Sequence, residues 1–152
     1  QVITLLRKYR PRIVLANTLS DRHPDHGRAG QLVAESCFLS GLEKIITEAN
    51  GETQVPWRPQ ALYHYIQYRN QSPDIIVDIS DHFELKMEAV RAHASQFHNP
   101  SSKEPETLIS RKDFLEYIKG NALDMAKQIG CSYAEGFTSS RHIGSSNLFD
   151  LI

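Results

Sequence analysis

The chain of 152 residues has little of several residue types, and each scarcity excludes a class of protein. Its two cysteines, Cys37 and Cys131, lie far apart and form no metal-knuckle pattern, so we expect reduced core thiols in a cytoplasmic protein. A formal net charge of −1 gives no reason to expect nucleic acid or an anionic membrane as a partner. No apolar run approaches the length of a membrane span.

The residues that are present are typical of one globular domain. Hydrophobic residues make up 40% of the chain and charged residues 23%, which is ordinary for a globular protein with a sizeable core. Short β-branched runs alternate with longer segments of helical periodicity. This alternation predicts an α/β fold with a mostly parallel sheet flanked by helices.

The pattern also predicts where the elements lie. We expect strands near residues 12–16, 61–67, 75–79 and 131–137, and helices near 1–10, 24–50, 82–96 and 111–129, with a polar loop over 99–106. Asn50-Gly51 is interpreted as the stop of the second helix. Three or four strands make a narrow sheet, and the first helix begins without an N-cap. We therefore expect residues 1–152 to be part of a longer protein whose first strands are not in this sequence.

The densest concentration of reactive side chains is the segment 21–27, Asp-Arg-His-Pro-Asp-His-Gly, which follows the apolar run 13–16. In open α/β sheets ligands bind outside the carboxyl ends of the strands, where this loop is expected. Imidazole is a common zinc ligand, and a second imidazole can move protons or stabilise an oxyanion. The alternative is that Asp25 caps a helix and both histidines are surface residues, because short motifs give many false matches.

The segment Ser20-Asp21-Arg22-His23-Pro24-Asp25-His26-Gly27 resembles the second signature of the LmbE-like zinc N-deacetylases. These enzymes remove acetyl groups from N-acetylglucosaminyl compounds. Further segments resemble the branch that deacetylates N-acetylglucosaminyl malate in bacillithiol synthesis, at 57–67, 77–80, 86–90, 95–97 and 133–137. The resemblance extends over essentially the whole chain, and it implies a Rossmann-like fold.

The resemblance implies a role for each residue of the segment. His26 falls on the family's third zinc ligand, and His23 falls on the histidine that stabilises the oxyanion. Asp25 would hold and polarise an imidazole, while Arg22 and Arg58 are candidates for binding the malate carboxylates. The family's first signature, A-H-P-D-D-E, gives the other two ligands and the general base, and no such motif occurs in these 152 residues.

Two interpretations of the chain stay open at this point. In the first, it is the C-terminal portion of a single LmbE-like domain, a cytoplasmic, oligomeric, Zn²⁺-dependent hydrolase with a small amino-sugar substrate. In the second, it is an inactive α/β module that binds sugars or associates with copies of itself. Each of the other histidines, such as His64, is more often a structural residue than a metal ligand.

Overall fold

The computed structural model describes residues 1–98, 103 and 105–151 and divides them into two compact units. Of the described residues, the first unit comprises 1–75 and 137–151, and the second comprises those between 76 and 136. Each unit is built from short strands and longer helices. The mixed α/β fold, with parallel strands and flanking helices, agrees with the fold class that the sequence predicts.

The first unit is organised around a pair of parallel strands. Strand β1 (Ile13–Asn17) pairs with β4 (Ala61–Tyr65), and the register runs from Ile13 opposite Ala61 to Asn17 opposite Tyr65. The last two residues of β6 (Ala134–Thr138) pair with β4 in the antiparallel direction. Because β1 and β4 are parallel and in step, their carboxyl ends meet at one edge.

Two helices precede and follow β1. Helix α1 (Val2–Tyr9) ends at Arg10, which has a positive φ of 48°. Helix α2 (Pro24–Leu39) contacts β1 and begins with proline in its first turn, where the absent N–H costs nothing. The predicted start of α2 is therefore confirmed.

The predicted end of α2 is wrong, because the helix stops at Leu39 instead of continuing to Asn50. Asn50 and Gly51 form the turn of a small antiparallel hairpin between β2 (Glu48–Ala49) and β3 (Glu52–Thr53). Their φ values, 55° and 81°, are both positive, as the favoured two-residue hairpin turn requires.

The reason for the early end of α2 lies in α1. The guanidinium of Arg7, only 3% exposed, donates hydrogen bonds to the main-chain carbonyls of Ser40, Leu42 and Ile45 at 3.0, 2.8 and 2.6 Å. It also donates to the Thr47 hydroxyl at 2.9 Å. A segment that turns its carbonyls inward toward a buried cation cannot keep them aligned along a helix axis, so residues 40–47 are irregular.

The second unit contains β5 (Ile75–Asp78, which begins in the first unit), a 3₁₀ turn (Ser80–His82), α3 (Phe83–Arg91), α4 (Phe114–Ile129) and the start of β6. Its core is formed by Phe83, Met87 and Ala122, and the Phe83 ring stacks on Tyr133 with centroids 3.7 Å apart. Helix α4 ends at Gly130, whose φ of 74° suits glycine, as predicted.

Other predicted boundaries shift by several residues. Helix α3 ends at Arg91 instead of Gln96, and α4 begins at Phe114 instead of Arg111. Of the polar loop predicted over 99–106, residues 99–102 and 104 lie outside the described residues. Cys37 and Cys131 are both free thiols, and within the described ranges no helix is long and apolar enough to cross a membrane.

Candidate active site

The loop that carries the histidines follows β1 and is fastened to the loop that follows β4. The Gln71 amide donates to the Thr18 hydroxyl at 2.8 Å and to the Ser20 carbonyl at 3.2 Å. The Arg69 N–H donates to Asp21 Oδ1 at 3.1 Å. These bonds join the two carboxyl-end loops, which is where ligands bind in open α/β sheets.

Two glycines allow α2 to press its first turns against this loop. A Cβ at Gly30 would lie 2.5 Å from the Asn17 carbonyl oxygen, and a Cβ at Gly27 would lie 2.9 Å from that of Leu19. Both neighbours are main-chain atoms, so no side-chain movement could make room. The spacing Gly27-x-x-Gly30 is thus a sequence signal for close packing of helix and loop, and sequence reasoning missed it.

His26 is held by a buried carboxylate. Its Nδ1 lies 2.7 Å from Oδ2 of Asp21, whose side chain has no exposed surface, while 34% of the His26 side chain is exposed. Nδ1 is the donor in this bond when Asp21 is ionised, so the neutral ring presents Nε2 as an acceptor or a metal ligand. A carboxylate on the far nitrogen is the usual partner of a metal-binding histidine.

Asp21 is ionised although it is buried. Burial alone would raise the pKa of Asp21, but the hydrogen bonds from His26, the Arg22 N–H and the Arg69 N–H outweigh burial and hold the pKa below its ordinary value. The Arg22 N–H lies 2.7 Å from Oδ1, so both carboxylate oxygens have partners. Asp21 therefore fixes the orientation of the His26 ring.

His23 occupies the N-cap position of α2. Its Nδ1 accepts a hydrogen bond from the Asp25 N–H at 3.2 Å, so the neutral ring carries its proton on Nε2. The His23 and His26 rings are 5.4 Å apart between centroids. One exposed imidazole that donates at Nε2 thus lies beside one that can bind at Nε2.

Asp25 has other contacts than the resemblance implied. Its carboxylate is 70% exposed, lies 3.8 Å from His23 Nδ1 and pairs with Arg28 at 3.3 Å. His23 Nδ1 is already an acceptor, so it has no proton to donate to this carboxylate. The carboxylate that holds an imidazole in the structure is that of Asp21, and sequence reasoning noted Asp21 only as a flanking residue.

The two predicted arginines lie in different places. The Arg22 guanidinium lies 5.4 Å from the centroid of the Tyr68 ring, so it is part of the two-loop site. Arg58 precedes β4 and donates to the Phe38 carbonyl near the end of α2. A five-residue strand separates that position from the histidine loop by roughly 13 Å. The structure does not bring Arg58 to the histidines.

The described residues fit a metal ion only in part. His26 has the chemistry of a zinc ligand, but residues 1–98, 103 and 105–151 contain no group of three or more His, Cys, Asp or Glu side chains that could hold a metal. Catalytic zinc usually takes three protein ligands. His64 is not one of them: it is 2% exposed, and its Nδ1 lies 2.6 Å from the Asn17 carbonyl oxygen, which makes it a structural histidine.

Comparison with known proteins identifies a similar sequence. The chain is 34% identical over 139 residues to the diacetylchitobiose deacetylase of Thermococcus kodakarensis, an alignment that covers 90% of the chain and 48% of that protein. The chain thus spans about half the length of the curated relative that it matches. No family model matches the chain.

Two solved structures share the fold. The conserved protein TT1542 from Thermus thermophilus superposes with a TM-score of 0.79 at 29% identity, over 95% of this chain and 58% of that one. The N,N′-diacetylchitobiose deacetylase from Pyrococcus horikoshii, solved with an inhibitor, gives a TM-score of 0.66 at 28% identity, over 99% and 54%. In sequence and in fold, this chain is therefore similar to about half the length of diacetylchitobiose deacetylases.

Proposed function

We propose that this chain is part of an LmbE-like, Zn²⁺-dependent deacetylase that hydrolyses the N-acetyl group of a small amino sugar. The observation that carries the proposal is the hydrogen bond from His26 to the buried Asp21 at the carboxyl end of a parallel strand. A surface histidine does not need a desolvated carboxylate on its far nitrogen, whereas a metal-binding histidine regularly has one. The similarity to diacetylchitobiose deacetylases supports the same activity.

Each side chain of the loop has a role in this proposal. His26 would hold the metal through Nε2, in the orientation that Asp21 sets. His23 donates from Nε2 to the acetyl oxygen as negative charge develops there, a contribution worth ~3 kcal/mol in comparable hydrolases. Zinc, when bound, lowers the pKa of a coordinated water and polarises a carbonyl. In this proposal, the remaining ligands and the general base come from residues other than those that the structure describes.

The substrate is the finer part of the proposal. The resemblance to the bacillithiol branch favours N-acetylglucosaminyl malate, and Arg22, beside Tyr68, offers a guanidinium for a malate carboxylate. The similarity to diacetylchitobiose deacetylases supports diacetylchitobiose as the substrate instead. The two substrates share the N-acetylglucosamine unit and differ in charge. The cytoplasmic location and the oligomeric assembly stay predictions.

The test is acetate release by the full-length protein from each substrate, with and without a chelator. We expect chelator-sensitive release, lost in His26→Ala together with bound zinc. His23→Ala should retain zinc and lose kcat, because the oxyanion contact forms only in the transition state. His82→Ala, at an exposed position in the second unit, is the matched control. Sugar binding without hydrolysis by the full-length protein would favour the non-enzymatic alternative.

Residues 1–152 by themselves are expected to release no acetate at any zinc concentration, because one imidazole does not make a three-ligand site. Loss of the general base alone costs about 10²–10⁴-fold. Chelator-sensitive hydrolysis by these residues alone would show that another set of side chains completes the site.

A further inference from the structure

A cavity of about 700 Å³ lies in the first unit at the start of β4, away from the histidine loop. Its walls come from residues 58–63, from residues 139–144 and from the end of α2 at Cys37 and Phe38. A volume of this size is in the range of small-molecule sites. Burial raises the pKa of the Cys37 thiol, so this wall is neutral.

The charged side chains that line the cavity are basic. They are the guanidinium groups of Arg58 and Arg141, and no aspartate or glutamate is among the described residues of the walls. Guanidinium groups pair with carboxylates and phosphates through two parallel hydrogen bonds. The positive charge therefore selects an anion, and the adjacent Phe38 and Leu62 offer apolar surface for the rest of a molecule.

The Arg58 guanidinium is held in place before any ligand arrives. Its Nη2 donates to the Phe38 carbonyl at 3.0 Å, and its central carbon lies 4.6 Å from the centroid of the Phe38 ring. A Cβ at Gly41 would lie 2.5 Å from Arg58 Nε, so only glycine leaves room for this position. A side chain that is already ordered loses less entropy on binding.

The main chain that carries Arg141 is also fixed. The Ser139 N–H donates to the Asp74 carboxylate at 2.7 Å, and the Ser139 hydroxyl donates to the Arg141 carbonyl at 2.9 Å. The Arg141 side chain is exposed and makes no hydrogen bond or ion pair to another described residue. Its donors are available to a ligand in the cavity.

We propose that this cavity is a second binding site, which takes a small molecule bearing a carboxylate or phosphate group through Arg58 and Arg141. The site is separate from the proposed deacetylase centre, because it lies where β4 begins whereas the histidine loop lies where β1 and β4 end. It also gives Arg58 an anion-binding role that does not depend on the histidine loop.

The test is calorimetric titration of the full chain with inorganic phosphate and, separately, with succinate, at constant ionic strength. We expect a Kd below about 1 mM for at least one probe, and the stronger probe identifies the anionic group. Arg141→Gln and Arg58→Gln should each weaken binding about tenfold, since each removes a charge-assisted hydrogen bond. Gly41→Ala should also weaken it, by displacing Arg58 while keeping its charge.

The control is Lys119→Gln, which removes one positive charge from an exposed position on α4. Equal weakening by this variant would overturn the proposal, because binding would then follow net charge. Absence of binding by either probe up to about 20 mM would overturn it as well. Arg141 lies in an exposed turn, so Arg141→Gln keeps the test decisive even if Arg58→Gln lowers the melting temperature.

Discussion

Two buried charged side chains shape the loops on either side of α2, and they do so in different ways. Arg7 directs its donors to three carbonyls and one hydroxyl of residues 40–47. Asp21 accepts from two main-chain N–H groups and from His26. Arg7 thus holds three main-chain carbonyls and one hydroxyl in place, whereas one bond of Asp21 orients an imidazole whose Nε2 is still available.

Arg7 is therefore a structural charge, whereas Asp21 is a charge that also positions a side chain of the candidate site. A buried charge is stable only when its polar partners compensate for lost hydration. When every partner is main chain or hydroxyl, the result is a rigid loop. When one partner is an imidazole, the same compensation also selects the tautomer of that ring.

The largest effect is expected from Arg7→Met, which removes the charge that holds the segment 40–47 in place. Methionine fills a similar space but removes the donor of the Ile45 carbonyl, at about 1–3 kcal/mol for a buried acceptor that water does not reach. The Ser40 and Leu42 carbonyls each lose one of two donors, since they also accept from the N–H groups of Trp57 and Ile45. We expect the free energy of unfolding to fall by about 3 kcal/mol or more in urea titrations. Lys8→Met, exposed on the same helix, should change it by less than about 0.5 kcal/mol.

Asp21→Asn tests whether the Asp21 carboxylate orients the His26 ring for metal binding. The amide of asparagine cannot accept at both positions, so the His26 ring loses the partner that fixes its tautomer. Zinc affinity of the full-length protein should fall about 10–100-fold, with little change in the secondary structure. Nitrogen-15 shifts of the His26 ring, measured without metal, should show a mixture of tautomers. A larger loss in Asp25→Asn would restore the role that the resemblance gave to Asp25.

Packing of α2 on the loop gives an intermediate effect. Gly30→Ala places a methyl group 2.5 Å from the Asn17 carbonyl oxygen, and we expect a loss of about 1–3 kcal/mol. The matched control is Gly120→Ala on α4, where the new Cβ would meet no described residue within 4 Å apart from its chain neighbours and the nearby backbone of its own helix. Alanine is the better helix former, so this control should gain up to about 1 kcal/mol. Chemical denaturation of both variants measures the difference.

The smallest effect is the pH dependence of Asp21. Its pKa is held below the ordinary value in the folded chain, so its contribution to stability is fully present above the unfolded pKa, about 3.9. That contribution is lost as the pH falls through the folded pKa. In urea titrations from about pH 6 to pH 3, the stability advantage of the wild type over Asp21→Asn should shrink. A constant difference would show that folding does not lower the pKa of Asp21.

Sequence reasoning succeeded where the signal is local. The strands β1, β4 and β5 and the start of α2 were predicted within about two residues, because β-branched runs and a first-turn proline act on their own neighbours. It failed at the end of α2, because the deciding interaction comes from Arg7, more than thirty residues away. The Asn50-Gly51 pair was interpreted as a helix stop when it was the stronger signal of a hairpin turn.

The candidate site shows the same limit. The histidine segment was noted for its composition, and its position after β1 was expected from the apolar run before it, whereas its contact with the loop after β4 was not predicted. The role of Asp21 in orienting His26 could not be predicted, because it depends on the Arg69 N–H from the loop after β4. The position of Arg58 was missed for a similar reason: the register of β4 beside β1 places it at the other end of the strand pair.

His23 gives the protein an internal reporter of its own protonation. The Asp25 amide donates to His23 Nδ1, and an imidazolium has a proton on both nitrogens and cannot accept this bond. Hydrogen–deuterium exchange at the Asp25 amide should therefore accelerate when the ring gains its second proton, because the first turn of α2 then loses its cap. The charge on the proposed oxyanion donor can thus be followed at a neighbouring backbone amide, without substrate or metal.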